Sequence, residues 1–179
     1  MNTIFAMVLS VFMASHASTE PPKFSNEEEI SCLATNIYWE ARNQSTRGQI
    51  AVGNVVMNRV KSIHFPDSVC EVVLQGPTRE SWKTRKNPDL DDMHRKYYPV
   101  KNRCQFSWFC DGKSDEVPLI DKNVYAFIEI MAFKLFHGQM DDLTDGAEFY
   151  HADYVTPEWR HTKHKTVQIQ NHIFYRWSK

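Results

Sequence analysis

The chain has 179 residues, 42% of them hydrophobic and 24% charged, a length and balance suited to one globular domain with a real core. A formal net charge of -1 excludes general nucleic-acid binding of the strongly basic kind. Five Trp, seven Tyr and eleven Phe leave two uses open, core filling and sugar platforms.

The first element in chain order is a leader. Residues 4–14, IFAMVLSVFMA, form an apolar run of signal-peptide length, too short to span a bilayer comfortably. Ser15-His16-Ala17 then places small residues where a signal peptidase cuts. Residues 1–17 therefore read as a signal peptide or an uncleaved N-terminal anchor, with cleavage after Ala17 preferred. Residues 18–24 follow as a polar, proline-containing linker, and 25–179 form one catalytic-domain-sized unit. The four cysteines agree with export, since an even number behind a signal-like start suggests two disulfides. Cys104 and Cys110 can close a small loop, which leaves Cys32 for Cys70. A zinc site would want two tight Cys pairs, so no metal is expected there.

Ser25-Asn26-Glu27-Glu28 reads as a capping box, followed by a helical apolar stripe at Ile30, Leu33, Ala34, Ile37, Tyr38 and Ala41. At about 100° per residue, Glu40 falls beside this stripe, at the boundary between core and solvent. Partial desolvation there lets a carboxyl group hold its proton nearer neutral pH. GQIAVGNVVMNRV is apolar on most sides and reads as a core helix, with Arg47, Asn54, Asn58 and Lys61 along a polar strip. Those Asn residues either face a cleft or satisfy neighbouring backbone. Phe65-Pro66-Asp67 starts a short helix carrying Val69, Val72 and Val73. Periodicity then fades over residues 76–103, where Pro77, Pro88 and Pro99 and a basic excess predict a long irregular excursion. That surface suits either an anionic polymer or plain solvation. Residues 121–138 return to helix, with Val124, Ile128, Met131 and Leu135 in register and Gly138 as C-cap. The tail has β character with a turn near Asn171. The expected class is α+β, mainly α, with a groove between the helical part and a small β or irregular part.

Three constellations carry chemistry: Asn36 to Arg42 with Glu40, the loop Cys104-Gln105-Phe106-Ser107-Trp108, and Phe149-Tyr150-His151-Ala152-Asp153-Tyr154. Each mixes aromatic and polar groups, as carbohydrate recognition requires. The segments CLATNIYWEAR, GQIAVGNVVMNRV, FPDSVCEVV, CQFSWFCDG, DGAEFYHADYVTPEW and HIFYR follow one another as in the SleB-type cell-wall hydrolases, the family that includes spore cortex-lytic enzymes. This resemblance covers almost all of the chain after the linker. It implies a lysozyme-like domain related to lytic transglycosylases, with Glu40 as the catalytic acid and peptidoglycan glycan strands as substrate. Trp39 stands where Phe is common in that family, and Asn43-Gln44 where Gly-Glu is common. Gln105, Ser107, Tyr150 and His151 are candidate contacts to the glycan, and Trp108 and Tyr154 candidate stacking surfaces. No cofactor is expected, and the expected location is the cell envelope, periplasm or exterior. The expected state is monomeric, without nucleic-acid partners and touching membrane only through an uncleaved leader. Asp111, Glu148 and Asp153 are each available as a second carboxylate, and none is singled out by spacing. A rival reading takes His151, His161, His164, His172 and Asp153 as ligands of a zinc amidase. A second rival is a non-catalytic peptidoglycan-binding module.

Overall fold

The structure, a computed structural model, describes residues 23–178. The leader and most of the linker lie outside the described residues. Helix α1 (Asn26–Ala41) begins at the expected capping box: the Ser25 hydroxyl accepts from the Glu28 backbone N–H, and the Glu28 carboxylate accepts from the Ser25 N–H at 2.7 Å. Its stripe of Leu33, Ala34, Ile37, Tyr38 and Ala41 is buried. Helix α2 (Thr46–Val60) and the short α3 (Val69–Val73) pack beside it. Helix α5 (Lys122–Phe136) closes the bundle with Ile128, Met131 and Leu135, while Val124 stays partly exposed. Each fully buried Leu, Ile or Val contributes roughly 1.5–3 kcal/mol relative to exposure. Gly53 lets these helices approach, because a Cβ there would come within 3.0 Å of Ile37 and closer still to Leu135. Gly138, at φ +65°, ends α5 as expected. Among the described residues no helix is long and apolar enough to cross a membrane.

Two departures from expectation concern boundaries and strands. The third helix starts at Val69 and not near Phe65, because Ser68 provides the cap by accepting from the Glu71 N–H. The excursion is more ordered than expected. Strands β1 (Thr78–Glu80) and β2 (Tyr97–Pro99) pair antiparallel and enclose the one-turn helix α4 (Trp82–Arg85). The remaining sheet has the order β3-β5-β4, from β3 (Phe149–Ala152), β4 (Lys163–Ile169) and β5 (His172–Trp177). The turn between β4 and β5 passes through Gln170 at φ +50° and Asn171. This is the expected α+β, mainly α, domain. Ala51 and Val55 of α2 meet Ala147, Ile169 and Phe174 of the β part in a second apolar cluster.

The two asparagines of the α2 strip serve the backbone, not a cleft. The Asn54 side-chain oxygen accepts from the Leu143 N–H at 3.1 Å, and the Asn58 amide donates to the Ala147 carbonyl at 3.1 Å and to Asp142 at 3.0 Å. They thereby hold the chain that enters β3. Both disulfides are present, Cys32–Cys70 joining α1 to α3 and Cys104–Cys110 closing the loop before α5.

Candidate active site

Glu40 sits in the last turn of α1, one turn beyond Asn36 on the same line of the helix. Asn36 is fully buried and its side-chain oxygen accepts from the Trp108 indole N–H at 3.1 Å. A second indole repeats the device in the other direction: Trp39 donates to the Asp115 carbonyl at 3.3 Å. Two N–H bonds thus fasten the segment carrying Ser107, Trp108 and Asp115 to the end of α1. Between them lies a cleft of about 330 Å³, lined by Trp39, Glu40, Arg42, Ser107, Trp108 and Asp111, and also by Lys113 and Asp115. The Arg42 guanidinium lies over the Tyr38 and Trp39 rings, at 5.1 and 5.0 Å from their centroids.

Beneath the cleft the β part supplies support. Strand β3 places Tyr150 so that its hydroxyl donates to the Glu40 carboxylate at 2.9 Å. Arg59, at the end of α2 and only 2% exposed, donates from Nε to the Glu148 carbonyl at 2.7 Å and lies over the rings of Phe65 and Phe106. Burial raises the Glu40 carboxyl above its ordinary range, with the Tyr150 hydrogen bond and the Arg59 charge pulling the other way. Burial likewise lowers Arg59 to about 10, so it remains a cation at neutral pH. Tyr150 is driven well above its usual value by burial and by the Glu40 charge, so it stays a donor. An acid whose proton is held more tightly than an ordinary carboxyl's, with one oxygen fixed in place, suits general acid catalysis.

A testable consequence concerns Tyr150→Phe. Losing that hydroxyl removes an influence that lowers the Glu40 carboxyl, so its pKa moves up. If catalysis needs Glu40 protonated, the alkaline limb of the pH–rate profile moves to higher pH. Measured profiles with unmoved alkaline limbs would contradict the Glu40–Tyr150 coupling.

The structure brings Glu40, Ser107, Trp108 and Tyr150 together, and Asp111 with them. The other residues of interest stand elsewhere. His151 neighbours Tyr150 on β3 and therefore faces the opposite side, because successive strand residues alternate. It is buried there, its ring nitrogens meeting the Tyr175 hydroxyl at 3.0 Å and the Ala152 carbonyl at 2.8 Å. Tyr154 is 84% exposed beyond β3 and does not line the cleft. Gln105 is exposed, its backbone N–H bonded to the Gln75 carbonyl at 2.8 Å. Glu148 does not line the cleft and meets Arg59 through its backbone carbonyl, and Asp153 lies in the turn after β3, its N–H bonded to the Asn171 carbonyl. Asp115, which spacing did not suggest, lines the cleft with its pKa raised by burial and by Asp111. Arg59 had a visible signal: it continues the buried series Val52, Val55 and Val56 at helical spacing, where a charge is unusual. Among the described residues no three His, Cys, Asp or Glu side chains stand close enough to share a metal ion.

The profile of the family described as Cell Wall Hydrolase matches residues 43–175. The chain belongs to that family. Glu40 lies just before the matched residues, so the match itself does not bear on it. Among curated relatives of this Cell Wall Hydrolase chain, the spore cortex-lytic enzyme of Bacillus subtilis is 41% identical over 59 residues, 33% of this chain and 19% of that protein. The spore cortex-lytic enzyme of Oceanobacillus iheyensis is 36% identical over 58 residues, 32% of this chain and 21% of that protein. The aligned part thus spans about a fifth of these relatives. The fold resembles the catalytic domain of the Bacillus cereus SleB protein, with TM-score 0.58 and 24% identity over 87% of this chain and 94% of that one. It also resembles the catalytic domain of the germination-specific lytic transglycosylase SleB from Bacillus anthracis, with TM-score 0.57 and 24% identity over 88% and 100% of the two chains.

Proposed function

We propose that this chain is an exported enzyme that cleaves peptidoglycan glycan strands at the β-1,4 bond between N-acetylmuramic acid and N-acetylglucosamine, with Glu40 as its acid. The observation that carries the reading is the half-buried Glu40 carboxyl, held by Tyr150 at the side of an open cleft. Glu40 donates its proton to the glycosidic oxygen as the C1–O bond breaks and the sugar becomes oxocarbenium-like. The carboxylate left behind then takes the proton of the muramic C6 hydroxyl as that oxygen bonds to C1. The product is a 1,6-anhydro end, no water is consumed, and Glu40 regains its proton. The similarity to a germination-specific lytic transglycosylase and to spore cortex-lytic enzymes supports this direction.

One observation favours a second reading. Asp111 and Asp115 line the same cleft as Glu40, and a hydrolytic route needs a second carboxylate about 5–9 Å from the acid. In that version one of them directs water and the product carries a reducing end. The single-acid route remains the proposal, because Lys113 already engages Asp111 at 3.6 Å, and burial and the Asp111 charge both disfavour the anionic form of Asp115. Purified murein separates enzyme from binder and glycan cutter from zinc amidase. The expected result is loss of turbidity that persists in a strong chelator. Binding without clearing, or clearing abolished by the chelator and restored by zinc, would overturn the reading.

A further inference from the structure

The catalytic reading leaves unused a basic surface on the ribbon that follows α3. Strands β1 and β2 and helix α4 enclose a groove of about 520 Å³. Arg79, Lys83 and Arg85 line it, and among the described residues none of the three has a carboxylate within ion-pair distance. Glu80, its one acid, is engaged by Arg95 at 2.9 Å. The groove therefore holds three cations to one acid. Two aromatic rings share it, Trp82 and Tyr98, each 58% exposed. Neither ring is needed by the core, and large exposed aromatics beside cations are a recurrent form of recognition surface.

The groove is also held firmly and near the cleft. The Ser81 N–H bonds the Lys96 carbonyl at 2.7 Å across the ribbon, and Val100 bonds back to Pro77 at 2.9 Å. At its root the ribbon joins the disulfide loop: Gln105 bonds Gln75 at 2.8 Å, Asn102 bonds Cys110 at 3.0 Å, and Gly76 lies so close that a Cβ would come 3.0 Å from Cys104. That loop carries Ser107 and Trp108 into the cleft. The wall of the cleft and the basic arm are one continuous structure.

We propose that this groove is a second binding site, taking a carbohydrate polymer that bears anionic groups and so holding the cell wall while the cleft acts on it. The rings of Trp82 and Tyr98 meet the apolar faces of sugars, and Arg79, Lys83 and Arg85 meet the anions. The anions are the carboxylates of the stem peptides, which the glycan strand proposed for the cleft itself carries. The site rests on the proposed function for its substrate class, and it extends that function beyond the cleft.

The test uses the full chain carrying Glu40→Gln, which binds without cutting, compared with the same chain carrying Trp82→Ala, Lys83→Ser and Arg85→Ser as well. All three added changes are on exposed side chains, so melting temperatures should agree. Sedimentation with purified murein at low salt should show the apparent Kd of the multiple variant raised about tenfold, a gap that narrows as salt screens the cations. The gap should vanish on murein stripped of stem peptides by an amidase and persist on murein stripped of phosphate polymers by hydrofluoric acid; a gap that persists on the first or vanishes on the second would overturn the assignment. Equal binding of both proteins to untreated murein would overturn the proposal. So would preferential retention of a single-stranded DNA oligomer over murein. With Glu40 present, the variant should cut short soluble glycans at the unaltered rate. A chain that binds murein through the arm but never clears it would sink the catalytic reading and leave this site standing.

Discussion

Glu40→Gln is expected to lower the rate of murein clearing by roughly 10²–10⁴-fold, the usual contribution of a positioned general acid. Glutamine keeps the size of the side chain and can still accept from the Tyr150 hydroxyl, so the cleft should survive. Stability supplies the control. The folded-state pKa of Glu40 lies above that of an ordinary carboxyl because burial disfavours its charge. Its contribution to stability is therefore fully present below the ordinary carboxylate range and lost as pH rises through the folded value. Above that value the native protein carries the burden of a half-buried anion, and the glutamine variant does not. The variant should melt at least as high as the parent at neutral pH, with the gap closing in acid. An inactive variant that melts much lower would indicate collapse, and a variant that still clears murein would refute the assignment.

The largest effect on stability is expected from removing Cys32–Cys70. This bridge spans a sequence separation of 38 and ties α1, which carries Glu40, to the five-residue α3. A helix that short does not persist by itself, so its position depends on the bridge and on Val69, Val72 and Val73. Loop-closure entropy for that separation is on the order of 4 kcal/mol, within the 2–5 kcal/mol measured for native bridges. The paired change Cys32→Ala and Cys70→Ala should lower the melting temperature by about 10 °C, at the usual few degrees per kcal/mol for a domain of this size. Calorimetry checks it, and a shift below about 3 °C would show that packing alone fixes α3. Cys104–Cys110, with a separation of only 6, should matter less to stability and more to activity, because it shapes the cleft wall.

The helical half was legible because each signal had a local cause. The Ser25–Glu28 cap, the apolar stripe of α1 and the glycine stop at Gly138 depend on neighbours within a turn or two. The edge position of Glu40 followed from the same periodicity. The β half was less legible. Strands of three residues, such as β1 and β2, are too short to show alternation, so the ribbon looked irregular. Phe149 to Tyr154 looked like one patch, yet a strand sends Tyr150 and His151 to opposite faces. Reading that segment as a strand separates them. Asp115 gave no local sign, since the Trp39 bond that brings it to the cleft joins residues distant in sequence. Arg59 was visible in principle, as a charge in register with valines.

The most direct measurement is mass spectrometry of the soluble fragments released from purified murein by the native chain and by Glu40→Gln. The account predicts muropeptides ending in 1,6-anhydro-N-acetylmuramic acid from the native chain and none from the variant. Reducing ends would replace the single-acid route with hydrolysis assisted by Asp111 or Asp115, and free stem peptides with intact glycan strands would contradict glycan cleavage altogether.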